Sequence, residues 1–239
     1  MFVFRKKALI ATAIFLGVLL AFSVCIAALL KAPVQSADKR VLTVVIDAGH
    51  GGIDAGVTGS TGVKESDLNL EIAKVLATQF ENAGIKAVLT RQTQGGLYGL
   101  ATKGFKKRDM KKRKQIIEET APNLVISIHL NKYSHSERRG AQTFYNPENL
   151  QGKQLAESVQ NALNDMEGAV RTCQSLAGDY YLLNCTPYPA TIVECGFLSS
   201  PEDEKLLLLP EYREKISYAV FKGAVDYLST TQDAGAFER

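Results

Sequence analysis

Histidine is scarce in this chain, with three in 239 residues, so the places where it falls carry information. Cysteine is scarce too. There are four, and no two stand at CxxC or CxxxxC spacing, which excludes a cysteine-rich zinc site. Four cysteines at this length do not make a small disulfide scaffold either. Cys25 lies in an apolar N-terminal run, and Cys173, Cys185 and Cys195 read as free thiols. A net charge of +3 is too mild to point to nucleic acid. Three catalytic signatures are missing: the Gly-x-Ser-x-Gly elbow, the Gly-x-x-x-x-Gly-Lys-Ser/Thr phosphate loop and the His-Glu-x-x-His helix. With 46% hydrophobic and 22% charged residues, the chain suits one globular domain of roughly 200 residues and a short appendage.

The appendage is N-terminal. Arg5, Lys6 and Lys7 precede an uncharged run from Ala8 to Leu30, 23 residues, or about 35 Å as a helix, enough to span a bilayer. Cleavage near Ala27 or Ala28 would place Cys25 or Ile26 at the −3 position, which favours an uncleaved transmembrane anchor over a signal peptide. The basic flank then stays cytoplasmic and the bulk of the chain faces outward. The expected organisation is an anchor over 1–30, a linker over 31–40, a catalytic domain over 41–229 and a disordered tail over 230–239.

The domain opens with Val41-Leu-Thr-Val-Val-Ile and then Asp47-Ala-Gly-His-Gly-Gly52. A β-branched apolar run without alternation suits a strand covered on both faces. The glycines let backbone and ligand approach closely. In an open α/β sheet, sites form at the carboxyl ends of strands, which is where His50 falls. A second Gly-rich loop follows from Asp54. Ser66 is the expected N-cap of a helix carrying Leu68, Ile72, Val75, Leu76, Phe80 and Ala83, with Gly84 as its stop. Glu65 stands at the mouth of the same connection as His50.

Further strands are expected at Ile85–Arg91, Asn123–Leu130 with His129 at its end, Gly140–Asn146, Tyr180–Leu183 and Ala190–Phe197. Helices are expected through Leu155–Met166, Glu202–Leu209 and Tyr212–Leu228. Glu194 lies inside the last strand, among Ile192, Val193, Cys195 and Phe197. Glutamate is almost never buried alone, so it either reaches a cation or water at the site or pairs with an arginine. The stretch Lys103–Lys114 holds eight Lys or Arg against one acid, Asp109. It reads as a solvated helix face, or as a contact for an anionic polymer, a membrane surface or a protein partner.

His50, Glu65 and His129 share one rim, with Glu194 on a neighbouring strand. Two imidazoles and one carboxylate are the protein ligands of many hydrolytic zinc sites. A further carboxylate that does not ligate can serve as base and then as acid. Four stretches carry a resemblance in order: Asp47–Gly52 (DAGHGG), Gly62–Glu65 (GVKE), Ser127–Asn131 (SIHLN) and Glu194–Ser199 (ECGFLS). Together they resemble the zinc-dependent N-acetylmuramoyl-L-alanine amidases of the amidase-3 family, over roughly Val41–Ser229. The resemblance implies zinc ligands at His50, Glu65 and His129 and a catalytic carboxylate at Glu194; Asn131, just after His129, is a candidate substrate contact. The resemblance also implies an α/β three-layer sandwich, a mostly parallel central sheet flanked by helices. Ser200 departs from the family pattern, where many members have Asn, and is expected to tune the loop below Glu194.

A single anchor, no wall-binding repeats and the stretch Gly99–Arg108 (GLATKGFKKR) resemble the CwlD-type sporulation amidases in particular. That type removes peptide from muramic acid so that the spore-cortex lactam can form, and some members are assisted by a lipoprotein partner. The implied location is the intermembrane space of the developing spore, and the implied substrate is peptidoglycan. The alternatives are a zinc peptidase of the stem peptide and a membrane-anchored wall-binding module with a degenerate site.

Overall fold

The computed structural model describes residues 14–23, 41–134 and 138–237, the last six by backbone alone. Two units divide the chain, Met1–Arg40 and Val41–Arg239. In the first, residues 14–23 form helix α1, with exposed side chains. Among the described residues no helix is long and apolar enough to cross a membrane. The expected anchor over Ala8–Leu30 lies mostly outside the described residues.

The second unit runs β1 (Thr43–Ala48), α2 (Glu65–Asn82), β2 (Lys86–Leu89), α3 (Phe105–Thr120), β3 (Leu124–Asn131), β4 (Gln142–Tyr145), α4 (Leu150–Asn164), β5 (Leu176–Ala177), α5 (Tyr181–Asn184), β6 (Ala190–Phe197), α6 (Pro201–Leu207) and α7 (Pro210–Phe237). The strands form one six-stranded sheet in the order β2-β1-β3-β6-β4-β5. β2, β1, β3 and β6 are mutually parallel, whereas β4 pairs antiparallel with β6 and carries β5 parallel to itself. The sheet is therefore mixed, a parallel core with a reversed edge.

Successive residues of a strand point to opposite faces, and both faces here are covered. Val44, Ile46, Ala48, Leu124, Ile126, Ile128, Val193 and Cys195 join the core made with α2, α4 and α7. Val45, Val125, Ala190 and Ile192 pack with Ile117 of α3 and with Leu182 and Leu183 of α5. By the same alternation, Asp47, Ser127, His129 and Glu194 all face the α3/α5 side.

Three local expectations are corrected. Tyr180–Leu183 is not a strand; α5 occupies Tyr181–Asn184 as a single helical turn, because Leu182 and Leu183 turn inward together. The expected tail after Ser229 is helical as far as it is described, α7 continuing to Phe237. The Thr230 and Thr231 hydroxyls donate back to Tyr227 O at 2.8 and 3.2 Å and so stay within the helix. Ser66 is not an N-cap. Helix α2 begins at Glu65, after an extended Lys64 with no side-chain cap. The preceding loop caps it instead: Glu65 N donates to Val57 O (2.8 Å) and Ser66 N to Ala55 O (3.1 Å).

Candidate active site

β1 passes to β2 on one side and β3 lies on the other, so the chain changes direction at the carboxyl ends of β1 and β3. Such a crevice is the usual ligand site of an open α/β sheet. His50 sits there just past β1, with φ at +62°, a left-handed backbone that a non-glycine residue adopts only when held. A Cβ on Gly49 would lie 2.4 Å from the His129 ring, so only glycine admits the second imidazole.

Two buried arginines hold that backbone. Arg113 of α3 donates to Ala48 O (2.8 Å), His50 O (2.6 Å), Asp47 Oδ1 (2.5 Å) and Asp109 Oδ2 (2.6 Å). Arg91 donates to Ala48 O (2.8 Å), Gly49 O (3.0 Å) and Ser66 O (2.7 Å). Thr90 and Ser127 hydroxyls complete the shell of Asp47 at 2.7 and 2.6 Å. Burial by itself would raise the Asp47 carboxyl; the Arg113 guanidinium and the two hydroxyls outweigh it and bring it down to about 2.

This decides part of the question over the basic stretch. Arg113 is 1% exposed and belongs to the interior. Arg108 folds the preceding loop by donating to Tyr98 O (3.1 Å), Leu100 O (2.8 Å) and Lys103 O (3.0 Å). Lys106 pairs with Asp54 at 3.2 Å. Lys103, Lys107, Lys111 and Lys112 remain exposed.

Glu65 is the meeting point. Its Oε1 lies 3.2 Å from His50 Nε2 and 3.0 Å from His129 Nδ1. Leu130 N (3.1 Å) and Asn69 Nδ2 (3.2 Å) also donate to Oε1, while Val57 N donates to Oε2 (2.8 Å). Burial would raise this carboxyl; the hydrogen bonds and charges of His129 and His50 outweigh it and hold it well below the usual range. On the far side of His50, Asp54 Oδ2 stands 3.1 Å from Nδ1. One ligand-type atom from each of His50, Glu65 and His129 lies within 4.8 Å of the others, a group that could hold a metal ion.

Glu194 pairs in register with His129 on the adjacent strand. Its Oε2 is buried without a hydrogen-bond partner among the described residues, so the arginine pairing considered above is not what accommodates it. Burial pushes its carboxyl up to about 7, with the charge of Glu65 adding to that and the two imidazoles opposing it. Asn131 falls where the β3–β6 register shifts, and its Oδ1 accepts from Lys132 N (2.7 Å). Ser200 caps α6, its side chain accepting from Asp203 N. Cys195, fully buried, has its thiol pushed far up by burial and is no nucleophile. A cavity of about 250 Å³ runs from His50 and His129 between α3 and α5, past Met110, Tyr180, Leu182 and Ile192.

Sequence reasoning singled out the three residues at the rim and Glu194, but passed over Asp47, Arg91 and the Asp109–Arg113 pair. A signal was present, since Asp109, Arg113 and Ile117 recur at spacing four and so share one helix face.

The N-acetylmuramoyl-L-alanine amidase family model, amidase-3, matches residues 44–226. The germination-specific N-acetylmuramoyl-L-alanine amidase of Bacillus subtilis is 31% identical over 194 residues, covering 80% of this chain and 81% of that one. The amidase AmiA of Escherichia coli is 28% identical, covering 81% and 78%. Among solved structures, the CwlD amidase of Clostridioides difficile, determined in complex with the GerS lipoprotein, superposes with a TM-score of 0.76 at 35% identity, over 79% of this chain and 99% of that one. A match across the whole sheet and its helices, at such coverage of both partners, leaves one conclusion: this chain, similar to the CwlD-type amidases, belongs to the amidase-3 family of N-acetylmuramoyl-L-alanine amidases.

Proposed function

We propose that this amidase works as a zinc enzyme, with His50, Glu65 and His129 as metal ligands and Glu194 as the catalytic carboxylate. The observation that carries the reading is the convergence of both imidazoles on Glu65 Oε1, at 3.2 and 3.0 Å, beside a buried and unpartnered Glu194 oxygen. Two nitrogens and one carboxylate oxygen are a donor set that suits a hydrolytic zinc ion. Zinc bound there supplies Lewis acidity, polarising the scissile carbonyl and making a water acidic near neutral pH.

The remaining work falls to the chain. The substrate bond is the amide between the lactyl group of muramic acid and L-alanine. Glu194, whose buried Oε2 has no other partner among the described residues, takes a proton from the attacking water as its oxygen adds to the carbonyl carbon. It then gives that proton to the alanine nitrogen as the carbon–nitrogen bond breaks. Asp54, 3.1 Å from His50 Nδ1, places a carboxylate on the side of the ring away from Glu65. The cavity between α3 and α5 offers room for substrate beside the imidazoles, and Asn131 is proposed to contact it.

The biological setting proposed is spore-cortex maturation. It is supported by the germination-specific relative and by the CwlD neighbour. By analogy with that neighbour's complex, a lipoprotein partner is proposed here as well. The uncharged run Ala8–Leu30 behind Arg5, Lys6 and Lys7 supports a membrane anchor that leaves the domain outside the cytoplasm. Digestion of purified peptidoglycan, with and without added zinc, tests the reading. Mass analysis is expected to find peptides released with free L-alanine N-termini, dependent on zinc. Cleavage within the stem peptide would favour a peptidase instead, and binding without release a wall-binding module.

A further inference from the structure

Helix α6 has seven residues, and two adjacent ones, Asp203 and Glu204, are buried acids that point to different neighbours. Asp203 fixes the helix to the sheet: its Oδ2 accepts from Phe197 N (3.1 Å) and Gly140 N (2.8 Å), and its Oδ1 from Arg139 Nε (3.0 Å). From that base Glu204 reaches the tip of the loop before α2. Ser60 donates to Oε2 from N (2.9 Å) and Oγ (2.5 Å), and Thr61 to Oε1 from N (2.9 Å) and Oγ1 (2.6 Å). A Cβ on Gly59 would lie 2.4 Å from Glu204 Oε1, so the loop closes directly onto the carboxylate.

Ser60 and Thr61 are exposed, and water would satisfy their donors at no cost to the fold. A carboxylate is expensive to take out of water, and here its partners are neutral groups at an exposed tip. Holding the tip is therefore what the arrangement achieves. The tip leads back to the proposed metal ligand in a few bonds. Gly59 N donates to Val63 O (2.9 Å), and Thr58 bridges Lys64. Val57 then binds Glu65 twice, N to Oε2 and O from Glu65 N, each at 2.8 Å. With Oε2 so tied, Oε1 is the oxygen turned to the imidazoles.

We infer that Glu204 is a positioning residue for Glu65, clamping the 54–64 loop onto α6 so that the ligand carboxylate is presented at a fixed place. The inference rests on the zinc reading above. Burial would raise the Glu204 carboxyl, and the Ser60 and Thr61 donors hold it at about 2 instead, so the clamp is charged at any working pH. Glu204→Gln is the informative change, because its amide NH₂ group would face N–H and O–H donors.

The experiment measures zinc affinity of the full chain by chelator competition, and kcat against free zinc. Glu204→Gln is expected to lower zinc affinity about 10- to 100-fold, the usual cost of losing support behind a metal ligand. Turnover should return close to wild type once zinc saturates. The double variant Ser60→Ala/Thr61→Ala, on an exposed tip and so safe for folding, should fall between wild type and Glu204→Gln. Leu163→Ala is the control for general destabilisation, since α4 packs on α7, β4 and β6; it should leave zinc affinity unchanged. Wild-type affinity in Glu204→Gln, or an equal loss in Leu163→Ala, would overturn the inference. A wild-type chain that binds no zinc would overturn the zinc reading itself, and is told apart by failing before any variant is compared.

Discussion

Replacing Arg113 by Met keeps much of the side chain's length and removes its charge. In the wild type that guanidinium, 1% exposed, serves two acids, Asp47 and Asp109, and two carbonyls, Ala48 O and His50 O. Taking one partner from a buried ion pair costs about 3–5 kcal/mol, because the other charge stays behind unpaired. The Asp47 carboxyl gives a second route to the figure. Held at about 2 in the fold and near its ordinary value when unfolded, it contributes roughly 2–3 kcal/mol at neutral pH. The two ranges meet at about 3 kcal/mol, the low end of the first. For a domain of this size that is a fall in Tm on the order of 10 °C. The sign of the pH dependence follows from the depressed value: the contribution is complete above the ordinary carboxylate range and fades as pH falls through about 2. Urea unfolding of wild type and Arg113→Met should therefore show a wide gap at neutral pH and a narrower one in acid. Adding Asp47→Asn to the variant should restore part of the loss, since it removes one of the two orphaned charges. A gap under about 1 kcal/mol at neutral pH, or one that does not narrow in acid, would refute this account of the network.

Other outcomes are expected. Glu194→Gln should retain zinc and lose turnover by about 100-fold or more, because an amide cannot accept the water proton; metal analysis beside a rate assay checks it. His50→Ala, Glu65→Ala and His129→Ala should each lose stoichiometric metal and activity together, and full zinc in either histidine variant would remove that residue from the ligand set. Charge reversal of Lys107, Lys111 and Lys112, all exposed on α3, should weaken binding to intact peptidoglycan or a partner in a salt-dependent way while sparing a small soluble muramoyl-peptide. Equal loss of both would place these lysines in the active site, and no loss would make them a solvated face.

The parts of the fold that were legible in the sequence are those where a single physical demand sets the composition. β1, β3 and β6 are buried on both faces, so they read as apolar runs, and any polar residue within them stands out. That is why His129 and Glu194 could be found. Asp47 lies in the same kind of run, but beside His50 in a Gly-rich motif its own burial was easy to overlook. Arg113 was hidden for a different reason. A run of eight cations looks like solvent-facing charge, and nothing in a run tells which member turns inward until its helix is docked. The single turn of α5 defeats periodicity, since Tyr-Leu-Leu is equally good as strand or helix. β5 comprises only Leu176–Ala177 and depends wholly on its pairing with β4. The cap of α2 is not legible in the sequence because its donors are met by loop carbonyls, which leave no mark on side-chain identity.

The alternation along the strands has a consequence for how this enzyme tolerates change. Asp47, Ser127, His129 and Glu194 reach the site because each sits at the same parity along its strand as the residues that pack on α3 and α5. Deleting one residue within β3 or β6 would turn His129 or Glu194 into the opposite core and bring an aliphatic side chain to the site in its place. Deleting two would preserve the facing but carry the group about 6–7 Å along the strand, out of reach of Glu65. For these strands an odd change in length swaps the faces and an even one moves the group along the strand, so either removes it from the site. The strands thus act as a ruler, and the loops are where a change in length is expected to be tolerated.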